Sequence, residues 1–328
     1  MPKPCTVDGC TSDAVRKAEN FVLDFRPRTR RDRGRSLAEL LATAPAMRAL
    51  TWRQHVAKKK EWVDPYSAYS ECDLSPAEYD TALAAARKDL LGGKKPVAAG
   101  KTPHLIITIG APGAGKSTVS EAVAAERGSG DYVTIDLDAA VKYHPRYRDI
   151  WAAPSAVTGR PTVVGFTLGY LACNASLEDM LIHIYNEIIY NVEGPRYNII
   201  LQSHDQTSII GAKQAGHWVT LLFVGVPLPI AQARSRLRAI DTGKFLAPNL
   251  ATQDEVVESM WADYRRTAAW YGLWADEFLV ADNRRAAKSD KGARKAVLKY
   301  VKAVPLHCED WNTCQQHAQD AIDAACTP

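Results

Sequence analysis

Five short apolar runs alternate with amphipathic stretches along the middle of the chain. The runs are nearly continuous in apolar residues, which is typical of strands buried on both faces of a sheet. The stretches between them carry apolar residues at three- and four-residue intervals, the spacing of helices that pack one face against a core. This alternation predicts an α/β fold with a mainly parallel sheet flanked by helices. The predicted strands are 104–109, 132–137, 197–202, 218–226 and 277–282.

The regions on either side of this alternation have a different pattern. Helical spacing begins at Ser36, and the stretch SPAEYDTALAAARKDLLGG predicts a helix with Ser75 and Glu78 as a capping box. Residues 92–103 contain glycines, lysines and prolines and predict a linker. We therefore divide the chain into three parts: a basic and then helical extension at 1–100, an α/β domain at 101–285, and a charged, then helical tail at 286–328.

The composition is that of a globular protein, with 46% hydrophobic and 24% charged residues. No apolar run reaches the roughly 18 residues of a membrane span, and the first residues lack the apolar core of a secretory signal. We therefore expect a cytoplasmic protein with no membrane partner. The seven cysteines are scattered, which favours reduced thiols. Zinc at Cys5 and Cys10, or at Cys308 and Cys314 near His307, is an alternative that the spacing supports poorly.

Positive charge is concentrated near the N-terminus. The net charge is +4, and residues 1–100 carry 18 basic against 13 acidic side chains. The stretch RPRTRRDRGR at 26–35 contains six arginines. Such a run contacts nucleic acid or an acidic partner in some proteins and is a solvated segment in most others. It contains no interleaved aromatic residues, so the solvated interpretation is the simpler one and a nucleic-acid partner is the alternative.

The loop after the first predicted strand has the sequence of a phosphate-binding loop. GAPGAGKS matches G-x-x-x-x-G-K-[ST] between a strand and a helix, which is the context that this pattern requires. Its backbone N–H groups and the following helix N-terminus favour phosphate oxygens. Lys116 is predicted to contact the β- and γ-phosphates of ATP, and Ser117 to hold Mg²⁺. The predicted nucleotide-binding residues of this loop are Gly110, Ala111, Pro112, Gly113, Ala114, Gly115, Lys116, Ser117 and Thr118.

Two carboxylates follow the second predicted strand. Asp136 and Asp138 lie at its carboxyl end, the edge at which parallel α/β sheets bind ligands. They are two residues apart, so they would point the same way if the strand continued. One can act as a general base on an acceptor hydroxyl while the other orders Mg²⁺ or the turn. The competing interpretation is that an aspartate at this place only caps a helix.

Four segments together carry a family resemblance. They are GAPGAGKST, IDLDAAVKYHPRY, VGVP at the fourth strand, and YRRTAAWYGLWADEFLVADNRR around the fifth. This combination resembles the zeta-toxin family of P-loop kinases over roughly residues 104–285. The resemblance implies a P-loop kinase fold with a five-stranded, mainly parallel sheet, the use of ATP and Mg²⁺, and a toxic product. It also implies a protein antitoxin that blocks the site, and it leaves open delivery into another cell.

The resemblance assigns roles to individual residues. It makes Asp138 the base that takes the proton of the acceptor hydroxyl, and it gives Asp136 the turn or the metal. It places Arg238 on the transferring phosphate, with Arg234 four residues earlier on the same helix face. A solvated basic face is the alternative for these arginines. It also puts Glu187 near a substrate-contacting position, where a helix-surface glutamate is an equal alternative.

The acceptor half departs from the family pattern. After the third strand the family carries an acidic residue, a glycine and an arginine, whereas this chain has LQSHDQT. Gln202 replaces the acid and Gln206 the arginine, while His204 and Asp205 are new polar groups at that edge. A further family arginine is absent, and Lys244 lacks its two-pronged geometry. The candidate substrate contacts are Glu187, Gln202, His204 and Asp205.

The sequence therefore predicts a small-molecule kinase. Its acceptor would be a sugar or ribose hydroxyl of a nucleotide-type metabolite, similar to UDP-N-acetylglucosamine or to NAD. Two other classes stay open. The arginine run favours a polynucleotide kinase, and the exchanges at Gln202 and Gln206 favour a non-catalytic ATP-binding module.

Overall fold

Six strands form one mixed, mostly parallel sheet. The computed structural model describes residues 74–128, 131–145, 177, 180–190, 194–202, 206–242, 250–284, 298–308 and 310–328. The strands are β1 (His104–Ile109), β2 (Tyr132–Asp136), β3 (Asn198–Gln202), β4 (Trp218–Gly225), β5 (Glu277–Asp282) and β6 (Val301–Val304). Their order across the sheet is β2-β3-β1-β4-β5-β6. Only β6 is antiparallel to its neighbour among these six strands.

Helices cover both faces of the sheet. The α-helices are α1 (Pro76–Leu91), α2 (Lys116–Glu126), α3 (180–190), α4 (Gln206–Gln214), α5 (Leu228–Thr242), α6 (Leu250–Gly272) and α7 (Trp311–Cys326), with a 3₁₀ helix at Leu137–Tyr143. All six residues of β1 are buried. Leu105 and Ile107 pack into one apolar cluster and Ile106 into the other, because successive strand residues face opposite sides. β1 is an interior strand of the sheet, and the phosphate loop follows it directly.

The predicted fold class is confirmed, and the sheet is larger than predicted. β1 to β5 correspond to the five predicted strands, whereas β6 was not predicted. Only Val304 of β6 is buried, so the strand lacks the apolar pattern that marks the others. The helix after it, α7, buries Ala318 and Ile322 in the same cluster as Leu105. β6 therefore adds a sixth strand to the sheet, and α7 adds a helix that packs against it.

One disulfide corrects the expectation of reduced cysteines. Cys308 and Cys314 are bonded to each other and join the loop after β6 to the first turn of α7. Cys326 is a buried free thiol, and burial raises its pKa to about 11. Within the described ranges, no three His, Cys, Asp or Glu side chains are grouped as metal ligands. Cys5, Cys10 and the arginine run lie outside those ranges.

The described helices also bear on the membrane prediction. None of them combines the length and the apolar character that crossing a membrane requires.

A chain of polar side chains joins the amino ends of four strands. The Tyr132 hydroxyl donates to His104 Nδ1 at 2.6 Å. His104 Nε2 donates to Thr220 Oγ1 at 2.8 Å, and Thr220 donates to Glu277 Oε2 at 2.7 Å. Because the Thr220 proton goes to a carboxylate, the ring proton must reside on Nε2. Burial, with a smaller contribution from the nearby Arg127, lowers the pKa of His104 to about 3, so the ring stays neutral.

Two buried histidines make stability sensitive to acid. Burial lowers the pKa of His217 to about 4, with repulsion from Arg196 adding to the effect. The unfolded chain has ordinary histidines with pKa values near 6.5, so below that pH the unfolded state binds more protons than the folded state. Stability is therefore complete above about pH 6.5, and each histidine removes about 1.4 kcal/mol per pH unit as the pH falls toward its folded-state pKa. Urea unfolding between about pH 7 and pH 5 measures this slope.

The variant His104→Gln provides the control for the acid effect. It should reduce the slope by about half over the same range, whatever its effect on stability at pH 7, because one of two titrating groups is gone. A free energy of unfolding that stays constant from about pH 7 to pH 5 would contradict the prediction.

Candidate active site

The phosphate loop lies at the carboxyl edge of the sheet, between β1 and α2. Gly113 and Gly115 have φ angles of 83° and 87°, a region that favours glycine. A side chain at Gly113 would collide with the Ala231 carbonyl of α5, and one at Gly115 would collide with Asn283. The glycines of the motif therefore allow both the curvature of the loop and its close contact with two neighbouring elements.

The charges of three other predicted site residues act on Lys116. Its Nζ donates to the Gly110 carbonyl at 2.8 Å, across the loop. Burial lowers the pKa of Lys116 to about 8; Asp138 opposes this shift, Arg238 adds to it, and Asp136 also opposes it. All three side chains therefore act electrostatically on the Lys116 ammonium, so the structure brings the four residues to one edge of the sheet.

The two aspartates have different backbone positions. β2 ends at Asp136, one residue earlier than predicted, and the 3₁₀ helix follows. Asp136 caps this helix, because its carboxylate accepts the Asp138 N–H at 3.1 Å. The aspartates therefore do not share one face of a continuing strand, and the capping interpretation describes Asp136. Asp138 is exposed on the first turn of the 3₁₀ helix.

Gln202 contacts the donor half of the site. It ends β3, beside Thr108 of β1 and Asp136 of β2. Its Nε2 donates to Ser117 Oγ at 3.1 Å. The amide therefore lies where a carboxylate would attract a cation, yet it carries no charge. Gln202 was predicted as a substrate contact; its contact with Ser117 follows from the pairing of β3 with β1, which the sequence does not reveal.

The remaining predicted residues fall into three groups. Arg238 is exposed on α5, whereas Arg234 is partly buried and donates to the Arg284 carbonyl at 3.2 Å. Glu187 is exposed on α3, forms an ion pair with Arg87 of α1 and lies 2.9 Å from His183 Nε2. It therefore joins α1 to the domain, which fits the interpretation of a helix-surface glutamate. His204, Asp205 and Lys244 lie outside the residues that the structure describes.

Two polar residues near the site were not predicted. Tyr264 of α6 has its pKa raised to about 12 by burial, with the charges of Asp138 and Asp263 adding to the effect. Asn283 follows β5 and is 2% exposed. Both lie in the segment 264–285 that contributes to the sequence resemblance, but no role was assigned to either, because both reach the site through tertiary packing.

Gln202 can be tested by restoring a carboxylate. In Gln202→Glu we expect the Mg²⁺ concentration for half-maximal ATP binding to fall several-fold, since a carboxylate beside Ser117 is a better partner for Mg²⁺ than an amide. Titrating Mg²⁺ at fixed ATP measures the change. Gln214→Glu, an exposed substitution at the end of α4, adds the same charge away from the loop and should leave the midpoint in place. Equal midpoints in both variants would contradict the expectation.

Comparison with known proteins finds a family model that matches part of the chain. Residues 88–164 match the family model described as Zeta toxin. This range contains β1, the phosphate loop, α2, β2 and the 3₁₀ helix. Over this range the chain is similar to the Zeta toxin family.

Solved structures that are similar to this chain include the following two. One belongs to the PezAT chromosomal toxin–antitoxin system of the human pathogen Streptococcus pneumoniae: it is 17% identical over 78% of this chain and 98% of that chain, with a TM-score of 0.47. The other is the AvrRxo1-ORF1:-ORF2 complex with ATP: it is 12% identical over 84% of this chain and 89% of that chain, with a TM-score of 0.41. No curated protein sequence matches the chain.

Proposed function

We propose that this protein is an ATP-dependent kinase that phosphorylates a sugar or ribose hydroxyl of a nucleotide-type metabolite. The observation that supports this proposal best is the electrostatic grouping of Lys116, Asp138 and Arg238 beside a complete phosphate-loop sequence. Phosphoryl transfer is catalysed mainly by positioning and by neutralising charge. The site offers a phosphate cradle, a carboxylate and two cations for these tasks.

The donor side of the proposed reaction belongs to the loop and to Lys116. The loop amides and the α2 N-terminus bind the phosphates of ATP. Lys116 exchanges the Gly110 carbonyl for the β- and γ-phosphate oxygens, which are stronger acceptors because they carry charge. Its ammonium then stabilises the negative charge that develops on the bridging oxygen as the bond to the γ-phosphorus breaks.

In the proposed reaction, Asp138 acts on the acceptor hydroxyl and Arg238 on the transferring phosphoryl group. The acceptor hydroxyl oxygen forms a bond to the γ-phosphorus, its proton passes to the exposed Asp138 carboxylate, and ADP leaves with the electrons of the broken bond. Arg238 neutralises charge on the transferring group. Gln202 replaces the acid of the family pattern, so recognition of the acceptor differs from that pattern.

The site has oxygen donors that suit Mg²⁺. The metal is usually bound by one or two carboxylates together with substrate phosphates, and Ser117 and Asp136 supply a hydroxyl and a carboxylate beside the loop. We propose that these two residues hold Mg²⁺ together with the nucleotide. When bound, the ion would neutralise charge on the β- and γ-phosphate oxygens.

The biological part of the proposal rests on the resemblance to zeta toxins. Phosphorylation of a metabolite similar to UDP-N-acetylglucosamine or to NAD would act in the cytoplasm, where such acceptors are used, in the producing cell or after delivery into another. A protein antitoxin would cover the site. The Zeta toxin match over residues 88–164 supports this part.

The acceptor class is tested by incubating the protein with MgATP and one acceptor at a time. UDP-N-acetylglucosamine, NAD and a short RNA serve as the three acceptors, with Asp138→Asn and Lys116→Ala as controls. We expect mass spectrometry to show one added phosphoryl group on a nucleotide-type metabolite, and none with either variant. Transfer to the RNA end alone would replace the proposal with a polynucleotide kinase.

A second candidate is a non-catalytic ATP-binding module. It is favoured by the neutral Gln202 in contact with Ser117, because an amide gives no charge to a metal site. ATP binding without turnover at high concentrations of every acceptor would support this candidate over the kinase.

A further inference from the structure

A buried asparagine joins the end of β5 to the phosphate loop. Asn283 is 2% exposed, and its Nδ2 donates to the Ala114 carbonyl at 2.6 Å. The two residues are 169 positions apart in the chain. The asparagine amide also fills the space beside Gly115, where a side chain would collide with it. The contact therefore reaches the loop at the turn just before Lys116.

The chemistry of this contact fixes the orientation of the amide. A carbonyl oxygen only accepts hydrogen bonds, so the NH₂ group of Asn283 must face Ala114. The amide oxygen, Oδ1, is buried and has no hydrogen-bond partner among the described residues. Burying a polar atom without a partner is unfavourable. Packing alone would therefore favour an apolar residue here, and the asparagine is explained by the bond that it donates.

Holding the Ala114 carbonyl also sets the direction of the next amide. The C=O and N–H groups of a planar trans peptide point to opposite sides. With the Ala114 carbonyl turned toward Asn283, the Gly115 N–H is turned away from it. Gly115 has a φ of 87°, a conformation in which successive amides can converge on an anion. The asparagine thus favours the loop shape that phosphate binding requires.

The asparagine is itself held by three elements. Its backbone N–H donates to the Gly225 carbonyl at the end of β4 at 2.9 Å. The next residue, Arg284, donates to the Thr327 carbonyl beyond α7 at 2.8 Å and accepts from Arg234 of α5 at 3.2 Å. A donor anchored in this way loses little freedom when it bonds the loop, so the bond is directional.

We infer that Asn283 is a positioning residue that keeps the phosphate loop in its nucleotide-binding shape. The inference rests on the proposed function, because it concerns the loop that binds ATP. Asn283 acts through the Ala114–Gly115 peptide and not through contacts with the nucleobase of ATP or with the acceptor. Its removal should therefore weaken binding of any compound that the loop holds by phosphates.

The test measures binding and needs no acceptor. In Asn283→Ala we expect the Kd of ATP and the Kd of inorganic tripolyphosphate to rise by the same factor, about tenfold, which corresponds to one lost hydrogen bond at a binding site. Asn283→Asp keeps the shape and loses the donor, so it should weaken both ligands at least as much. Asn283→Asp also allows both Kd values to be measured if Asn283→Ala does not fold.

The matched control lies at the opposite edge of the sheet. Asn198 Oδ1 accepts the His104 N–H at 2.9 Å, so Asn198→Ala also removes one asparagine-to-backbone bond. It should lower the melting temperature and leave both Kd values unchanged. If Asn198→Ala weakens ATP as much as Asn283→Ala does, the effect is one of general stability and the inference is overturned.

Lys116→Ala separates this inference from the proposed function. If Lys116→Ala weakens ATP binding and neither Asn283 variant does, the inference alone is wrong. If Lys116→Ala also binds ATP as tightly as the unmodified protein, the proposed site is wrong and the inference falls with it. Weaker binding in Lys116→Ala and in both Asn283 variants, with Asn198→Ala unaffected, supports the inference and the nucleotide site on which it rests.

Discussion

Replacing Asp138 with asparagine is expected to lower the rate of phosphoryl transfer by about 10²- to 10⁴-fold, the usual contribution of a general base. Asparagine has the same shape, so the 3₁₀ helix and its cap at Asp136 should persist. Its amide cannot take the proton of the acceptor hydroxyl. Because the base acts on the acceptor, the Kd of ATP should stay within about threefold. Initial rates with the best acceptor and an ATP titration measure the two quantities.

The charge change itself needs a control. Asp131→Asn makes the same substitution just before β2, at the opposite edge of the sheet from the phosphate loop, and should preserve the rate. An Asp138→Asn protein with full activity would remove Asp138 from the mechanism. An equal loss of transfer and of ATP affinity would make Asp138 a binding residue instead.

ATP binding is expected to weaken about tenfold for each pH unit above pH 8. Burial lowers the pKa of Lys116 to about 8 in the free protein. The negative charges of a bound triphosphate favour the ammonium, so the pKa of Lys116 must rise on binding. Above pH 8 the free lysine is neutral and binding must take up one proton, which lowers the apparent affinity as pH increases. Below pH 8 the lysine is already charged, and the affinity should be nearly constant.

Two measurements test this pH dependence. Calorimetry in two buffers of different ionisation enthalpy should detect proton uptake when ATP binds near pH 9. Lys116→Arg keeps its charge throughout this range, so its Kd should not change with pH even if its affinity is lower. A pH profile that is flat in the unmodified protein, or equally steep in Lys116→Arg, would show that Lys116 does not carry the effect.

The sequence predicts those parts of the site that are encoded locally. The phosphate loop is one continuous motif between a strand and a helix, so Lys116 and Ser117 could be placed without knowing the packing. The central strands are also marked locally, because a strand covered on both faces needs a run of apolar residues. The helix α1 was predicted from its capping box, which the structure contains: the Ser75 N–H and the Glu78 N–H each bond the other residue's side chain.

Other features depend on contacts between distant parts of the chain. Glu187 pairs with Arg87, and Asn283 bonds Ala114, yet neither pair has a local signature. The edge strand β6 buries only one residue, so its pattern is too weak to predict. Asp136 shows why the end of a strand matters. β2 ends one residue earlier than predicted, so Asp136 caps the 3₁₀ helix and Asp138 lies in its first turn, and the two do not share one face of a strand.

The central claim is that the γ-phosphoryl group of ATP moves to an acceptor hydroxyl at this site. The most direct test supplies ATP with heavy oxygen in the γ-phosphoryl group, together with the best acceptor, and follows the label by mass spectrometry. The account predicts the label on the acceptor, with ADP formed in equal amount, and no labelled acceptor with Asp138→Asn. Label found only in inorganic phosphate, or remaining in ATP while the nucleotide is bound, would contradict it.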